Sequence, residues 1–420
     1  MVHVEIDLDN LLSHCDCDFA KILNPEEIAC LMDATPGRQY AFTAGEWSAE
    51  QSIVLATRPY SVDLTLGQSS NGYACFEFQD GGTAFVKALE TREKIFGSLC
   101  LDVDYSDEDW TPLSNKNLKR LFQIETWFEK LTLPMLDPSV ALLAFSAKTK
   151  ALVYELDPGY FEESDFQDLQ VVSKILDIKI NFDSSDDDGY NNNWDKLLLA
   201  FLQRLAALGH FERLKISLYC DEKVVEEKAA AITNALMAVI QGNSNLMFLK
   251  LSEFELCCFD WSPQSHILFK AMEEHQGLET FVVKDYPITD PDYLWLKGLL
   301  LRNHNIMVLN SLGKRCSDGS VINNLYSLNR LYNGSARLLK ESVLVRQQLV
   351  ATILFENASK DYQRTALVLS QHTDLLCDLI ESFSLDEGVA PLRLSEESES
   401  SRASLRRNPM TKASKKSRLA

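Results

Sequence analysis

One apolar pattern recurs through the middle of the chain: an apolar residue, two others, a second apolar residue, one other, and a third. It runs Ile175, Ile178, Ile180; Phe211, Leu214, Ile216; Leu246, Leu249, Leu251; and Leu278, Phe281, Val283, with a shorter copy at Ile306 and Leu309. The first positions lie 36, 35, 32 and 28 residues apart, and Tyr154 with Leu156 reads as an earlier member. Such triplets make strands with one apolar face. Helical stripes separate them. Trp194, Leu197, Leu198, Phe201, Leu202 and Leu205 form one, closed by Gly209, and Ile232, Leu236, Val239 and Ile240 form the next, closed by Gly242. Ser262-Pro263 opens a third helix that ends at Gly277, and Asp290-Pro291 opens a fourth. A single strand and helix cannot bury their own apolar side, whereas stacked copies bury a shared core between a strand layer and a helix layer. The pattern predicts an open α/β solenoid over residues 111–312, with parallel strands and outer helices. The same alternation fits an ordinary α/β domain with parallel strands. No G-x-G-x-x-G loop follows a strand, which argues against dinucleotide binding.

Residues 1–110 read as a mixed α/β region. Strands are expected at Val62–Leu66, Tyr73–Phe78 and Leu99–Tyr105, and a helix at Ala84–Lys94, with no topology assigned. Over 313–385 the stripes through Leu325–Leu331, Leu338–Ile353 and Ala366–Ile380 predict three helices, a natural cap for the last apolar face. From 386 to 420 Ser, Glu and Arg dominate, and a disordered basic tail is expected.

The net charge is −20, yet Arg402–Ala420 carries seven basic residues and no acidic ones, which leaves −27 on residues 1–401. A body this acidic repels phosphate backbones and anionic membranes, so neither nucleic acid nor membrane is an expected partner. The most apolar stretch, Leu197–Leu208, is interrupted by Gln203 and Arg204 and falls short of a membrane span. The start Met-Val-His-Val-Glu-Ile-Asp lacks the pattern of a secretory signal, and ten scattered cysteines suit a reducing compartment, cytoplasmic or nuclear.

Several segments together resemble a large family of leucine-rich-repeat-like proteins of diatoms, over about residues 120–385. They are Leu208-Gly-His-Phe-Glu-Arg-Leu214, Arg302-Asn-His-Asn-Ile306, Leu325-Tyr-Ser-Leu-Asn-Arg330 with Tyr332-Asn-Gly-Ser335, and Gln363-Arg-Thr-Ala-Leu367 through Gln371–Cys377. The resemblance implies a leucine-rich-repeat-like fold and brings no catalytic residues. The chain departs from the usual repeat at the ninth position, where Asp183, Tyr219, Phe254 and Tyr286 replace the Asn or Cys that builds a side-chain ladder.

The repeat phase places Lys179, Lys215 and Lys250 between the second and third apolar positions, on the outward strand face, with Arg213 beside Lys215. At about 4.8 Å per strand these cations are expected to stack into a basic stripe that takes an acidic segment of a protein partner. The bland reading is that lysines simply keep a solvated strand face from associating. Ser184–Asp195 matches a calcium loop in part, but lacks the acidic first position and the Glu at twelve. His14, Cys15 and Cys17 lack a second ligand pair, Cys257-Cys258 read as core or turn residues, and no metal or cofactor is expected. Arg406-Arg407 and Lys415-Lys416, with several serines nearby, fit a nuclear-import signal, a phosphorylated docking peptide or an unused tail. Nucleophile-elbow, P-loop and zincin motifs are missing, so the expected function is non-enzymatic protein binding, with a hydrolase lacking familiar motifs as the alternative.

Overall fold

The computed structural model describes residues 18–67, 76–101, 111–182, 193–220, 226–251, 254–256, 264–340, 342–357, 361–375 and 377. It has two compact units, Met1–Gly334 and Ser335–Ala420. The first contains strands β1 (Gln39–Phe42), β2 (Gly45–Trp47), β3 (Val62–Leu66), β4 (Phe76–Phe78), β5 (Gly97–Leu101), β6 (Phe128–Leu133) and β7 (Thr149–Leu156). They continue as β8 (Ile175–Phe182), β9 (Arg213–Cys220), β10 (Phe248–Lys250), β11 (Phe254–Leu256), β12 (Thr280–Val282) and β13 (Met307–Leu309).

Eleven strands form one sheet in the order β1-β3-β5-β6-β7-β8-β9-β10-β12-β13, with β11 joined to β9, while β2 and β4 pair separately. Strand order along that path follows chain order, and every pairing is parallel. The register produces one apolar row across ten strands: Tyr40, Leu64, Leu99, Leu131, Leu152, Leu176, Leu214, Leu249, Phe281, Val308. All ten are buried. β5 pairs with β6 across position 110, so the sheet carries no break where the sequence suggested a boundary.

Two expected registers are corrected. Ile178 was aligned with Leu214, but Leu176 occupies that position and Ile178 faces Ile216. Buried Ser173 stands where an apolar first residue was sought, and Ile175 lies on the opposite, half-exposed face. In β13 the row is filled by Val308 rather than Leu309, and a one-residue shift exchanges faces. The recurring triplet also extends further than was read: Phe96, Leu99, Leu101 and Phe128, Leu131, Leu133 are complete copies, all buried.

Helices Trp194–Leu208, Glu226–Gly242, Ser265–Glu273 and Leu294–Arg302 alternate with these strands. Gly209 closes the first in the left-handed region at φ 65°, and a Cβ on Gly242 would come within 2.4 Å of Ala206 O, so the two helix ends meet backbone to backbone. Ser262-Pro263 lies outside the described residues. Asp290 does cap, its carboxylate accepting from the amides of Leu294 and Trp295 at 2.8 Å, but the helix begins at Leu294, three residues after Pro291.

Helix ends expose carbonyls that need partners. Here the following layer of chain supplies them. Gln51 Nε2 donates to Ala20 O and Leu23 O (2.9 and 2.7 Å), Arg92 to Ala56 O and Arg58 O (2.8 and 2.6 Å), and Thr126 Oγ1 to Leu89 O (2.7 Å). Burial lowers the Arg92 guanidinium from its usual pKa. Fully buried Asn243 donates to Leu205 O and Val239 O (3.2 and 2.8 Å) and accepts from Phe211 N (3.1 Å). His275 Nε2 lies 2.8 Å from Asn243 O, and buried Asn303 donates to Met272 O and His275 O (3.1 and 2.8 Å). Asn329 Nδ2 closes the series on Leu300 O (2.8 Å).

The last strand is covered at its edge. The Tyr326 hydroxyl meets Val308 N at 3.2 Å and Cys316 N donates to Val308 O at 3.0 Å. Burial raises the Tyr326 hydroxyl pKa, and Ile322 and Tyr326 both join the core. In the second unit, taken by itself, helices Val343–Asn357 and Tyr362–Gln371 follow the end of helix Val321–Leu338.

Asn243→Ala leaves Leu205 O and Phe211 N buried without their side-chain partner. Denaturant unfolding should show a loss of about 2–4 kcal/mol. Asn305→Ala removes an exposed bond to Gln276 O and should stay within about 0.5 kcal/mol. Equal effects would show that the buried ladder carries no special share of stability.

Candidate partner-binding face

Parallel sheets usually lie buried on both faces. This one does not: in β3 and β5 exposure alternates between buried and half-exposed, and β8 repeats that alternation over eight residues. The apolar row occupies one face. The other is built from side chains one position removed, in two rows set by register.

The first outward row runs Val153, Asp177, Lys215, Lys250, Val282 across β7, β8, β9, β10 and β12. The second places Glu155, Lys179 and Ser217 side by side on β7, β8 and β9. The expected stripe of three lysines is therefore two features. Lys215 and Lys250 are direct neighbours, whereas Lys179 stands two residues along the strand because β8 is shifted against the assumed register.

Acidic neighbours also break up the stripe. Lys179 Nζ lies 2.9 Å from the largely buried Glu155 carboxylate, and Lys215 Nζ lies 3.3 Å from Asp177. Arg213 is exposed and holds its guanidinium over the Phe248 ring, 4.2 Å from the centroid. Tyr219 is 38% exposed further along β9. Sequence reasoning missed Glu155, Asp177 and Phe248. The period-two rule would have found two of them, since Asp177 precedes Lys179 by two residues and Phe248 precedes Lys250 by two.

The hydrolase alternative needs a reachable nucleophile beside a base. Within the second unit His372 Nε2 lies 3.0 Å from Ser335 Oγ, but both residues are buried and Asp374 pairs with Arg346. A shallow cavity of about 340 Å³ in the first unit is lined by Glu163, Gln167, Lys196 and Arg204, and Arg204 Nε is engaged by Leu169 O at 2.7 Å. Neither place assembles an exposed nucleophile with its base.

Among the described residues no three His, Cys, Asp or Glu side chains are placed to hold a metal ion. His14, Cys15, Cys17, Cys257, Cys258 and the basic tail lie outside those residues, as does most of the calcium-like loop. Its last position, Asp195, pairs with Lys228 at 3.0 Å. Among the described residues no helix is long and apolar enough to cross a membrane. Comparison with protein-family models and with curated proteins gives no match.

Burial holds the His372 pKa below its usual value, and the nearby Arg346 lowers it further, against the Ser335 carbonyl and Asp374, which raise it. The unfolded chain therefore takes up the proton first as pH falls. The stability from a neutral His372 is present above about pH 6.5 and is lost progressively below it. Hydrogen exchange of residues 343–377, corrected for intrinsic rates, should show weaker protection at pH 5.5 than at 7.5, and His372→Gln should flatten that difference.

Proposed function

We propose that the chain is a non-enzymatic protein-interaction scaffold, built as a leucine-rich-repeat-like open solenoid whose strand face receives a partner. The observation that carries this reading is the sheet with one buried and one half-exposed face. Strand order that follows chain order supports it, as does the hydrogen-bonded ladder between chain segments about one repeat apart. An ordinary doubly covered α/β sheet would bury the outward residues as deeply as the inward ones. The partner segment is acidic and lies across β7 to β12. Cys30, Cys316 and Cys377 are free thiols, which suits a reducing compartment, cytoplasmic or nuclear.

Reversing all three lysines is a poor test, because it would set acids against Glu155 and Asp177 and should destabilise the sheet. Arg213→Ala combined with Lys250→Met removes outward cations without that clash. With the full-length chain as bait in native cells, the pair should lower partner recovery about tenfold, with a melting temperature within about 2 °C of the parent. Crosslinks should map to β7–β12. Crosslinks confined to the helix layer, with recovery unchanged in the double variant, would remove the strand face as the binding surface.

A further inference from the structure

In the helix layer of the first unit two consecutive helices differ sharply in length. Glu163–Gln167 has five residues and Trp194–Leu208 has fifteen. The buried rings of Phe166 and Phe201 join them, with centroids 5.8 Å apart. At a rise of about 1.5 Å per residue the first helix spans about 8 Å against about 22 Å for the second, so it cannot cover the whole flank of its neighbour. The cavity of about 340 Å³ is lined by both helices. Leu199, Ala200 and Ala207 give its wall apolar patches, and Gln167 and Gln203 bring side-chain amides, each both donor and acceptor. Arg204 is half-buried in this wall. The Leu169 carbonyl, in the turn after the short helix, takes its Nε–H at 2.7 Å and so fixes the plane of the guanidinium. The terminal amino groups of Arg204 form no hydrogen bond or ion pair among the described residues. Glu163, on the short helix, sets a carboxylate in the same cavity.

We infer that this cavity binds a small monocarboxylate of the acylated amino-acid type. The ligand carboxylate meets the terminal amino groups of Arg204 side by side, a fork that a guanidinium offers and an ammonium does not. Because the Leu169 carbonyl already holds the guanidinium, little side-chain freedom is lost when the anion arrives. The apolar side chain of the ligand lies against Leu199, Ala200 and Ala207, and its amide exchanges hydrogen bonds with Gln167 and Gln203. Glu163 repels a second negative charge, which disfavours dicarboxylates. A volume of about 340 Å³ is at the lower end for ligand sites and keeps the ligand small. The site uses none of the outward strand residues, so it stands or falls apart from the strand-face reading.

The test uses the full chain and saturation-transfer NMR titrations with N-acetyl-leucine, its primary amide, N-acetyl-glutamate and a longer peptide ending in leucine. N-acetyl-leucine should bind saturably below about 10 mM, and its amide at least about tenfold more weakly. Arg204→Gln should bring acid and amide together, while Lys250→Met on the strand face should leave the difference intact, with circular dichroism confirming that both variants fold. A diazirine analogue of the acid should label residues 163–167 or 196–207, which locates the site without any substitution. Equal binding of acid and amide, no saturable binding of the acid, or labelling confined to other segments would each overturn the assignment. N-acetyl-glutamate binding as tightly as N-acetyl-leucine would overturn the restriction to monocarboxylates. A leucine-ending peptide that binds about tenfold more tightly than N-acetyl-leucine would overturn the commitment to a small molecule, in favour of a protein C-terminus.

Discussion

A stack of strand–helix layers has to satisfy helix-end carbonyls that its own packing takes away from water. In this chain several sets are met by a polar side chain from the following layer: Arg92 on Ala56 and Arg58, Asn243 on Leu205, Asn303 on Met272 and His275. An unmet buried carbonyl costs on the order of 1–3 kcal/mol, so leaving several unmet would consume much of a domain's marginal stability. The apolar row sets which face each strand buries. The ladder fixes how far each layer sits along the one before it, because an amide reaches a carbonyl only within about 3 Å. The aromatic chain Phe42–Trp47–Phe76–Phe78–Phe85–Phe96–Phe128, with centroids 4.5 to 6.3 Å apart, fills the N-terminal layers, where the strands are short.

The middle of this architecture was legible because its strands carry full apolar triplets at wide, regular spacing. Phe96–Leu101 and Phe128–Leu133 carry the same triplet and were equally readable. The layers between them hid the pattern. Thr149 and Ser173, both buried, take the first position in β7 and β8, and an apolar template passes over them. Ile175, apolar and two residues from buried Ser173, offered a false start, and parity alone could not reject it because strand sides repeat every two residues. The usual Asn ladder was sought at the ninth repeat position and is not there. It stands three residues before the triplet instead, as Asn243, His275 and Asn303 ahead of Leu246, Leu278 and Ile306. That recurrence was on the page, but its meaning depends on which helix end lies beneath it, and a single strand of text does not give that.

The outward face was legible by residue type and not by arrangement. Lysines at period two announced a cationic surface. Whether they form a stripe depends on register across strands, and β8 sits two residues from the assumed alignment. That shift sets Lys179 against Glu155 and Ser217, and Lys215 against Asp177. An ion pair across half-exposed strands adds little stability on its own. Its larger effect here is to set acidic side chains among the outward cations.

On the β9–β10 side Arg213 lies over the Phe248 ring, 4.2 Å from its centroid. A guanidinium over an aromatic ring keeps its orientation, so Arg213 loses less freedom on meeting an anion than an unsupported lysine would. Phe248 is held in place by the same backbone that carries Lys250. Position, charge and rigidity therefore converge on two neighbouring strands of a ten-rung row.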